Sequence, residues 1–305
     1  MPLLKNHKIF ISGAGGYIGQ HLFKYLSEHD VECIAFTRRE RPSYFTEGIW
    51  IQGNILDYEH LKQAMQGCTK IVHLACSGLR ESFDNIRSDF LVNGLGTVNV
   101  LQASHENEIS GVIYISTAQV YGNNIDLPLK ESTIPKPDSP YATSKLIGES
   151  YCSIYDKLHN LCPTVLRVFN VYGSRINAMR RRTVENIFIE NIKKGNDLVV
   201  QSRDESRDFI HIDDVVQAIV LAINSRIKHE IINIGSGRET TILALAHTLK
   251  EITQGNVKIM QMDKGKEYRQ QADTHKAQML LNFVAKTDLR NGLSELVENY
   301  NDMKY

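Results

Sequence analysis

The chain has few cysteines and no pattern in them. Its five (Cys33, Cys68, Cys76, Cys152, Cys162) are odd in number and scattered, with no Cys-x-x-Cys spacing. A disulfide framework is therefore excluded, no metal site is expected, and buried free thiols in a reducing compartment are expected instead. Charge excess is also missing. Lys+Arg and Asp+Glu both total 35 over 305 residues, which leaves no nucleic-acid surface and no polybasic membrane anchor to expect. No apolar run reaches the roughly 18 residues that a spanning helix needs. The stretch from Met1 to Lys8 is too short and polar for a signal peptide, so a cytoplasmic protein is expected. Repeats, low-complexity segments and linkers are absent as well.

What the chain does have is a rhythm. Apolar runs begin at Lys8, Val31, Trp50, Lys70, Gly111 and Pro163, and helical patterns separate most of them. Tyr17 to His29, Tyr58 to Met65 (with Asp57 as N-cap), Phe90 to Asn107 and Tyr141 to Leu158 read as helices. Strands alternating with helices mean βαβ units and a parallel sheet. After Asn170 the rhythm changes. An Arg-rich loop (Arg175, Arg180, Arg181, Arg182) leads to a helix at 184–194 and a short strand at 198–201. Further strands are expected at 208–213 and 230–234, with a helix at 215–222 between them and a mainly helical tail from Thr241. The expected fold is α/β: a Rossmann-type doubly wound parallel sheet over residues 1–170, rejoined by about 207–235, and a smaller substrate-binding lobe over 171–305. The substrate is expected between the two.

Two motifs carry chemistry. Gly13-Ala-Gly-Gly16-Tyr-Ile-Gly19 follows the first strand and opens a helix. In that context the first glycine turns the chain, the second admits a pyrophosphate, and the third lets helix and strand approach. The helix N-terminus adds unpaired N–H groups and positive dipole charge. A carboxylate about 20 residues further on would grip the ribose of NAD. Thr37-Arg38-Arg39 stands there instead. Arginine suits a 2′-phosphate, so NADP is expected ahead of NAD. The second motif is Tyr141-x-x-x-Lys145, with Thr117 upstream at the end of an apolar strand. Residues four apart share a helix face, and an ammonium beside a phenol favours the phenolate. Tyr141 can then move a proton near neutral pH.

With these pieces in place, the chain resembles the extended short-chain dehydrogenase/reductase family, in its nucleotide-sugar epimerase, reductase and dehydratase branch. Further matches are Gly53-Asn54-Ile55-x-Asp57, His73-Leu74-Ala75, Asn93-x-x-Gly96-Thr97, Ser116-Thr117 to Tyr121-Gly122, Leu166 to Gly173, Arg207 to Asp214 and Asn233 to Gly237. The resemblance implies an NAD(P)-dependent enzyme on a nucleotide-diphosphate sugar. Tyr141 is then the acid/base, Lys145 holds the nicotinamide ribose, and Thr117 binds the same sugar oxygen. It implies further cofactor contacts from the glycine turn with Tyr17 and Ile18, and from Asn54, Ile55, Leu74, Ala75 and Asn93. Asn170 and Arg207 would bind the substrate's diphosphate.

Departures narrow the chemistry. Dehydratases and decarboxylases of the branch carry an acid where this chain has Ala118 and Gln119. A neutral amide cannot be that base, so neither reaction is expected. An arginine common before the Ala272-Asp273 pair is replaced by Asp263, with Lys264, Lys266 or Arg269 as candidate substitutes. Reduction of a 4-keto-6-deoxy sugar by NADPH is the first expectation, and 4-epimerisation the alternative. A non-catalytic NADP-binding regulator is disfavoured by the retained Tyr141 and Lys145. A homodimer is expected through two long helices, with Ile86, Phe90, Val98, Leu101, Leu146 and Ile154 as its apolar positions.

Overall fold

Short runs of β-branched and aromatic residues, each closed by a glycine or polar turn, form the central sheet. The computed structural model describes residues 7–109, 111–123, 126–174, 176, 183–202, 204–225, 227–262 and 268–302. Arg175, Arg180, Arg181, Arg182, Asp263, Lys264 and Lys266 lie outside these residues.

In chain order the strands are β1 Ile9–Ser12, β2 Cys33–Thr37, β3 Ile49–Gln52, β4 Lys70–His73, β5 Val112–Thr117, β6 Thr164–Val168, β7 Asn170–Tyr172, β8 Leu198–Val200, β9 Ser206–His211, β10 Ile231–Ile234, β11 Glu239–Thr241 and β12 Ile259–Gln261. The helices are α1 Tyr17–Glu28, α2 Tyr58–Ala64, α3 Leu79–Asp84, α4 Ile86–Phe90, α5 Gly96–Glu106, α6 Pro140–His159, α7 Val184–Lys193, α8 Ile212–Asn224, α9 Ile242–Thr253, α10 His275–Leu281 and α11 Leu289–Asp302.

Seven strands pair in the order β10-β6-β5-β4-β1-β2-β3, every pair parallel. The Rossmann-like sheet expected from the alternation is therefore present. The order reverses between β1 and β4, which opens a crevice at the carboxyl ends of those strands. Alternating side chains feed two cores. Ile9 and Ile11 of β1 join Leu22 and Phe23 of α1 and Val215 and Ile219 of α8. Phe10 faces the other way, toward Leu61, Val100 and Tyr114. A third core gathers Phe188, Leu198, Phe209, Leu245 and Leu293 from the later elements.

Several boundaries differ from expectation. The strand expected at 208–213 is β9, 206–211, because Ile212 already starts α8. Asp213 and Asp214 lie in the first turn of that helix, where the dipole favours acids. Of the segment expected to rejoin the sheet, only β10 pairs there. Residues 207–211 pair with β7 and β11 in a separate three-stranded sheet. The helix expected from Phe90 begins earlier, at Ile86, and passes through a π-turn at Leu91–Leu95 before α5. β7, β11 and β12 have three residues each, too few for an alternation to register.

Candidate active site

The glycine turn is built to leave backbone exposed. Gly13 has φ +75, and a Cβ there would lie 2.6 Å from Ala75 Cα, so only glycine fits. A Cβ on Gly19 would lie 2.7 Å from Ala14 Cα. Gly16 caps α1 without a side-chain hydrogen bond, so the first amides of the helix are left to a ligand. This cradle fits a dinucleotide pyrophosphate. Tyr17 turns away and donates to the carbonyl of Gly173 at 2.9 Å, whereas Ile18 packs on the core. Leu74 and Ala75 are half-buried beside the turn, and their amides donate to Ser12 O and Ser12 Oγ.

The end of β2 is occupied by Thr37, which accepts from the Arg39 amide at 3.3 Å. The Arg39 guanidinium folds over the glycine turn and donates to Gly15 O at 2.9 Å. Arg38 has an exposed side chain, and its carbonyl accepts from Gln52. Asn54 is exposed and accepts from the Leu56 amide in a local turn, while Ile55 is buried.

Asn93 sits in the π-turn and is buried. Its amide nitrogen donates to Asp89 Oδ1 at 2.8 Å and Ser144 Oγ at 2.9 Å, and its oxygen accepts from Ser77 N at 2.7 Å. Within the structure it is a bracket between this turn, the loop after β4 and α6. The extra residue of a π-turn re-aims a side chain in this way.

Thr117 ends β5, is buried, and accepts from the Gln119 amide at 3.2 Å. α6 lies against β5 and carries Tyr141, partly buried, and Lys145, buried. The Lys145 ammonium lies 4.1 Å from the centre of the Tyr114 ring. Burial pushes its pKa down, opposed by the Cys76 and Cys152 thiols and by Glu149 and Asp89. Tyr114 also donates to the Lys145 carbonyl at 3.1 Å. Helix and strand can come this close because residue 148 is glycine: a methyl there would collide with Tyr114 Oη. One turn beyond Lys145, Glu149 accepts from Ser116 Oγ at 2.5 Å and pairs with Arg167 at 2.7 Å, both partners buried. This ties α6 to β5 and β6. Behind the site His73 bridges the Ser12 and Thr97 hydroxyls, and burial with the nearby Lys145 charge pushes it down to about 3. It is a neutral support.

On the facing side, Asn170 does not stand open. It donates to Gln270 Oε1 at 2.7 Å. Gln270 Nε2 donates to Tyr268 Oη at 2.8 Å, and Tyr268 donates to Gln119 Oε1 at 2.8 Å. Arg207 covers the Tyr268 ring at 4.4 Å and pairs with Glu205 at 2.5 Å. Asn170 and Arg207, expected at the diphosphate, and Gln119, noted as a departure from the branch's acid, thus meet around Tyr268 and Gln270. Neither of those two was expected; both lie in an irregular segment with no periodicity. Arg269, a candidate substitute for the missing arginine, is held by both carboxylate oxygens of Glu239 at 2.7 and 2.8 Å. Asp208 was also missed. It is buried, and accepts from Ser236 N, Ser236 Oγ, Gly237 N and Ala272 N, which locks the Asn233–Gly237 turn to the segment carrying Gln270.

A family model, the NAD dependent epimerase/dehydratase family, matches residues 9–235. The chain belongs to this family. It is therefore an enzyme of the nucleotide-sugar epimerase/dehydratase type, and NAD-dependent in its class. It is 30% identical over 298 residues to a Methanocaldococcus jannaschii protein provisionally named a UDP-glucose 4-epimerase, covering 95% of this chain and 97% of that one. The crystal structure of UDP-glucose 4-epimerase with UDP-glucose from Thermotoga maritima matches with a TM-score of 0.89 and 29% identity, over 97% of this chain and 99% of that chain. UDP-glucuronic acid 4-epimerase from Bacillus cereus, in complex with UDP-glucuronic acid and NAD, matches at 0.88 and 26%, over 97% and 100%. The similar solved structures are mostly epimerases, whereas the curated relatives include UDP-sugar epimerases, UDP-glucuronic acid decarboxylases and a GDP-6-deoxy-D-mannose reductase. Together they support the epimerase alternative better than the reductase that the sequence analysis puts first.

Proposed function

We propose that the chain is an NAD-dependent 4-epimerase of a UDP-linked sugar. The observation that carries this is Gln119. It occupies the place of the acid that elimination or decarboxylation requires, and its oxygen is held by a tyrosine hydroxyl. Gln119, Tyr268, Gln270 and Asn170 form a neutral hydrogen-bonded chain there, and a neutral amide at 119 cannot take a C5 proton.

NAD on the glycine turn would supply a hydride acceptor and donor at the sugar C4. The remaining work falls to the chain. Tyr141 takes the proton of the C4 hydroxyl as the hydride leaves. Thr117 holds the same oxygen by a hydrogen bond. Lys145 favours the phenolate by its charge. The 4-keto sugar turns over while its diphosphate stays held by Asn170 and Arg207. Tyr141 then returns the proton to the C4 oxygen, while the hydride would come back from the cofactor to the opposite face of C4. No net redox change occurs, so a tightly retained cofactor is enough.

The reductase remains the second reading, favoured by Arg38 and Arg39. The test is direct. Given UDP-hexoses, an epimerase equilibrates the C4 configurations, read by NMR, with no net oxidation or reduction of its cofactor. Stoichiometric oxidation of NADPH by a 4-keto-6-deoxyhexose, with no epimerisation, would replace this reading with the reductase. For the cofactor, Arg39 is already engaged by Gly15 O. We therefore expect Arg38→Ala with Arg39→Ala to weaken NADH and NADPH by similar factors. A selective loss of NADPH would restore the 2′-phosphate role.

A cytoplasmic homodimer completes the proposal. No helix among the described residues is long and apolar enough to cross a membrane. Phe83, Ile86, Phe90, Leu95, Ile154 and Leu158 are exposed apolar side chains on α3, α4, the π-turn and α6. Leu101, expected in the same face, is buried in its own core, and Leu146 packs inward. Light scattering at micromolar concentration checks the dimer mass.

A further inference from the structure

We propose that Asp156, Cys162 and His229 form a binding site for one Zn²⁺ ion, at the sheet edge opposite the cofactor turn. One ligand atom from each residue falls within 4.8 Å of the others. The three come from different places. Asp156 lies near the end of α6, Cys162 precedes β6, and His229 precedes β10. The amino ends of β6 and β10 face away from the carboxyl ends that carry Thr117 and the glycine turn, so the proposal is independent of the epimerase reading.

The backbone is bent to make this cluster. Asn160 ends α6 in the left-handed region at φ 52, Cys162 follows at φ 56, and His229 sits at φ 63. A left-handed cysteine is uncommon, and such outliers mark functional sites. Its bend brings Sγ back over the helix end, 3.2 Å from Asn160 O. The Cys162 amide donates to Asp156 Oδ1 at 3.1 Å. That leaves Asp156 Oδ2 to face His229 Nδ1, with which it pairs. An imidazole–carboxylate pair alone needs no thiol, yet the turn delivers one.

The donor set is one sulfur, one nitrogen and one oxygen, a combination that suits Zn²⁺. Thiolate and carboxylate together neutralise the ion. Lys70 stands near the thiol: burial and Lys228 push its pKa down, and Cys162 pushes it up. Its ammonium would support the thiolate from outside the ligand shell. Asp156 and His229 are partly open to solvent, which leaves the fourth position for water. On binding, Cys162 releases its proton to solvent and forms the Zn–S bond; nothing is oxidised or reduced. The ion would join the end of α6 to the entries of β6 and β10. Sequence spacing hid the site, because its ligands are distant in the chain and Cys-x-x-Cys is absent.

The test uses the full chain without a polyhistidine tag, stripped with chelator and reloaded with Co²⁺. We expect about one Co²⁺ per chain, a thiolate-to-cobalt charge-transfer band and tetrahedral visible bands. Cys162→Ser should abolish the charge-transfer band, and His229→Ala, at an exposed position, should weaken Co²⁺ binding at least tenfold. Cys68→Ser should change neither. Zn²⁺ should raise the Tm of the wild type and not of Cys162→Ser. A folded wild-type protein with no charge-transfer band, or a band that survives Cys162→Ser, overturns the proposal. So does an Asp156–His229 ion pair only, recognised when His229→Ala alters Tm but Zn²⁺ does not.

Discussion

At the scale of single residues, the proposed chemistry rests on Tyr141 and on a tyrosine the motifs did not reveal. Tyr141→Phe should lower turnover by about 10²–10⁴-fold, the contribution of a positioned acid or base. Cofactor binding should hold, measured by the fluorescence of bound NADH. Unchanged turnover would remove Tyr141 from the reaction. Tyr268→Phe keeps the ring beneath Arg207 but deletes the hydroxyl that joins Gln119 to Gln270. A net hydrogen bond contributes about 0.5–1.5 kcal/mol, so kcat/KM should fall about 2–13-fold. Binding of UDP alone should change less than kcat/KM does, because Asn170 keeps its bond to Gln270. Equal losses in both would show that Tyr268 serves only the diphosphate. Thr117, Tyr141 and Lys145 were legible in the chain because their spacing encodes a strand end and a helix face. Tyr268 and Gln270 were not, since their role comes from where a loop returns in space. Arg207 was legible as a residue, but not its stacking on Tyr268.

At the scale of elements, α6 is the part on which most depends. It carries Tyr141 and Lys145, packs Gly148 on Tyr114, and is braced by Glu149 on Arg167. Gly148→Ala puts a methyl against Tyr114 Oη and should lift the helix from β5. Overpacking of this kind costs about 1–3 kcal/mol, and thermal denaturation should show the lower Tm. Turnover should drop with it, because Lys145 moves off the Tyr114 ring. A Gly148→Ala protein with full stability and activity would mean the strand yields instead. The strands of the parallel sheet and most of the helices between them were readable from periodicity and turn residues, and the Asp57 cap, which accepts from His60 N, from its residue type. The π-turn was not, since one extra residue leaves a helical pattern almost intact. β7, β11 and β12, of three residues each, escaped for the opposite reason, whereas β8 lies within the strand expected at 198–201.

At the scale of the whole molecule, burial of neutral histidines sets the acid limit. Burial pushes His73 down to about 3 and His21 down to about 4, against 6.5 for the free side chain. Between those values and 6.5 the unfolded chain binds more protons than the folded one. Stability from both groups is therefore full above pH 6.5 and is lost as pH falls below it. Asp208, raised by burial, acts in the opposite sense. Urea midpoints should thus fall from pH 7.5 to pH 5, and His21→Gln should flatten that slope; a midpoint independent of pH would contradict the buried neutral state. The parallel sheet was legible from alternation, but its strand order was not, because pairing partners are distant in sequence. That order carries a consequence for biosynthesis. β6 ends at Val168, and the strand that covers its outer edge, β10, starts at Ile231. At about 5–20 residues per second, a ribosome needs roughly 3–13 seconds to deliver the missing strand. Throughout that interval the nascent chain shows an uncovered, apolar edge, Val165-Leu-Arg-Val168, to its neighbours. Polysomes crowded with this message are where its aggregation would begin, and a nascent-chain holdase would act on it between those two strands.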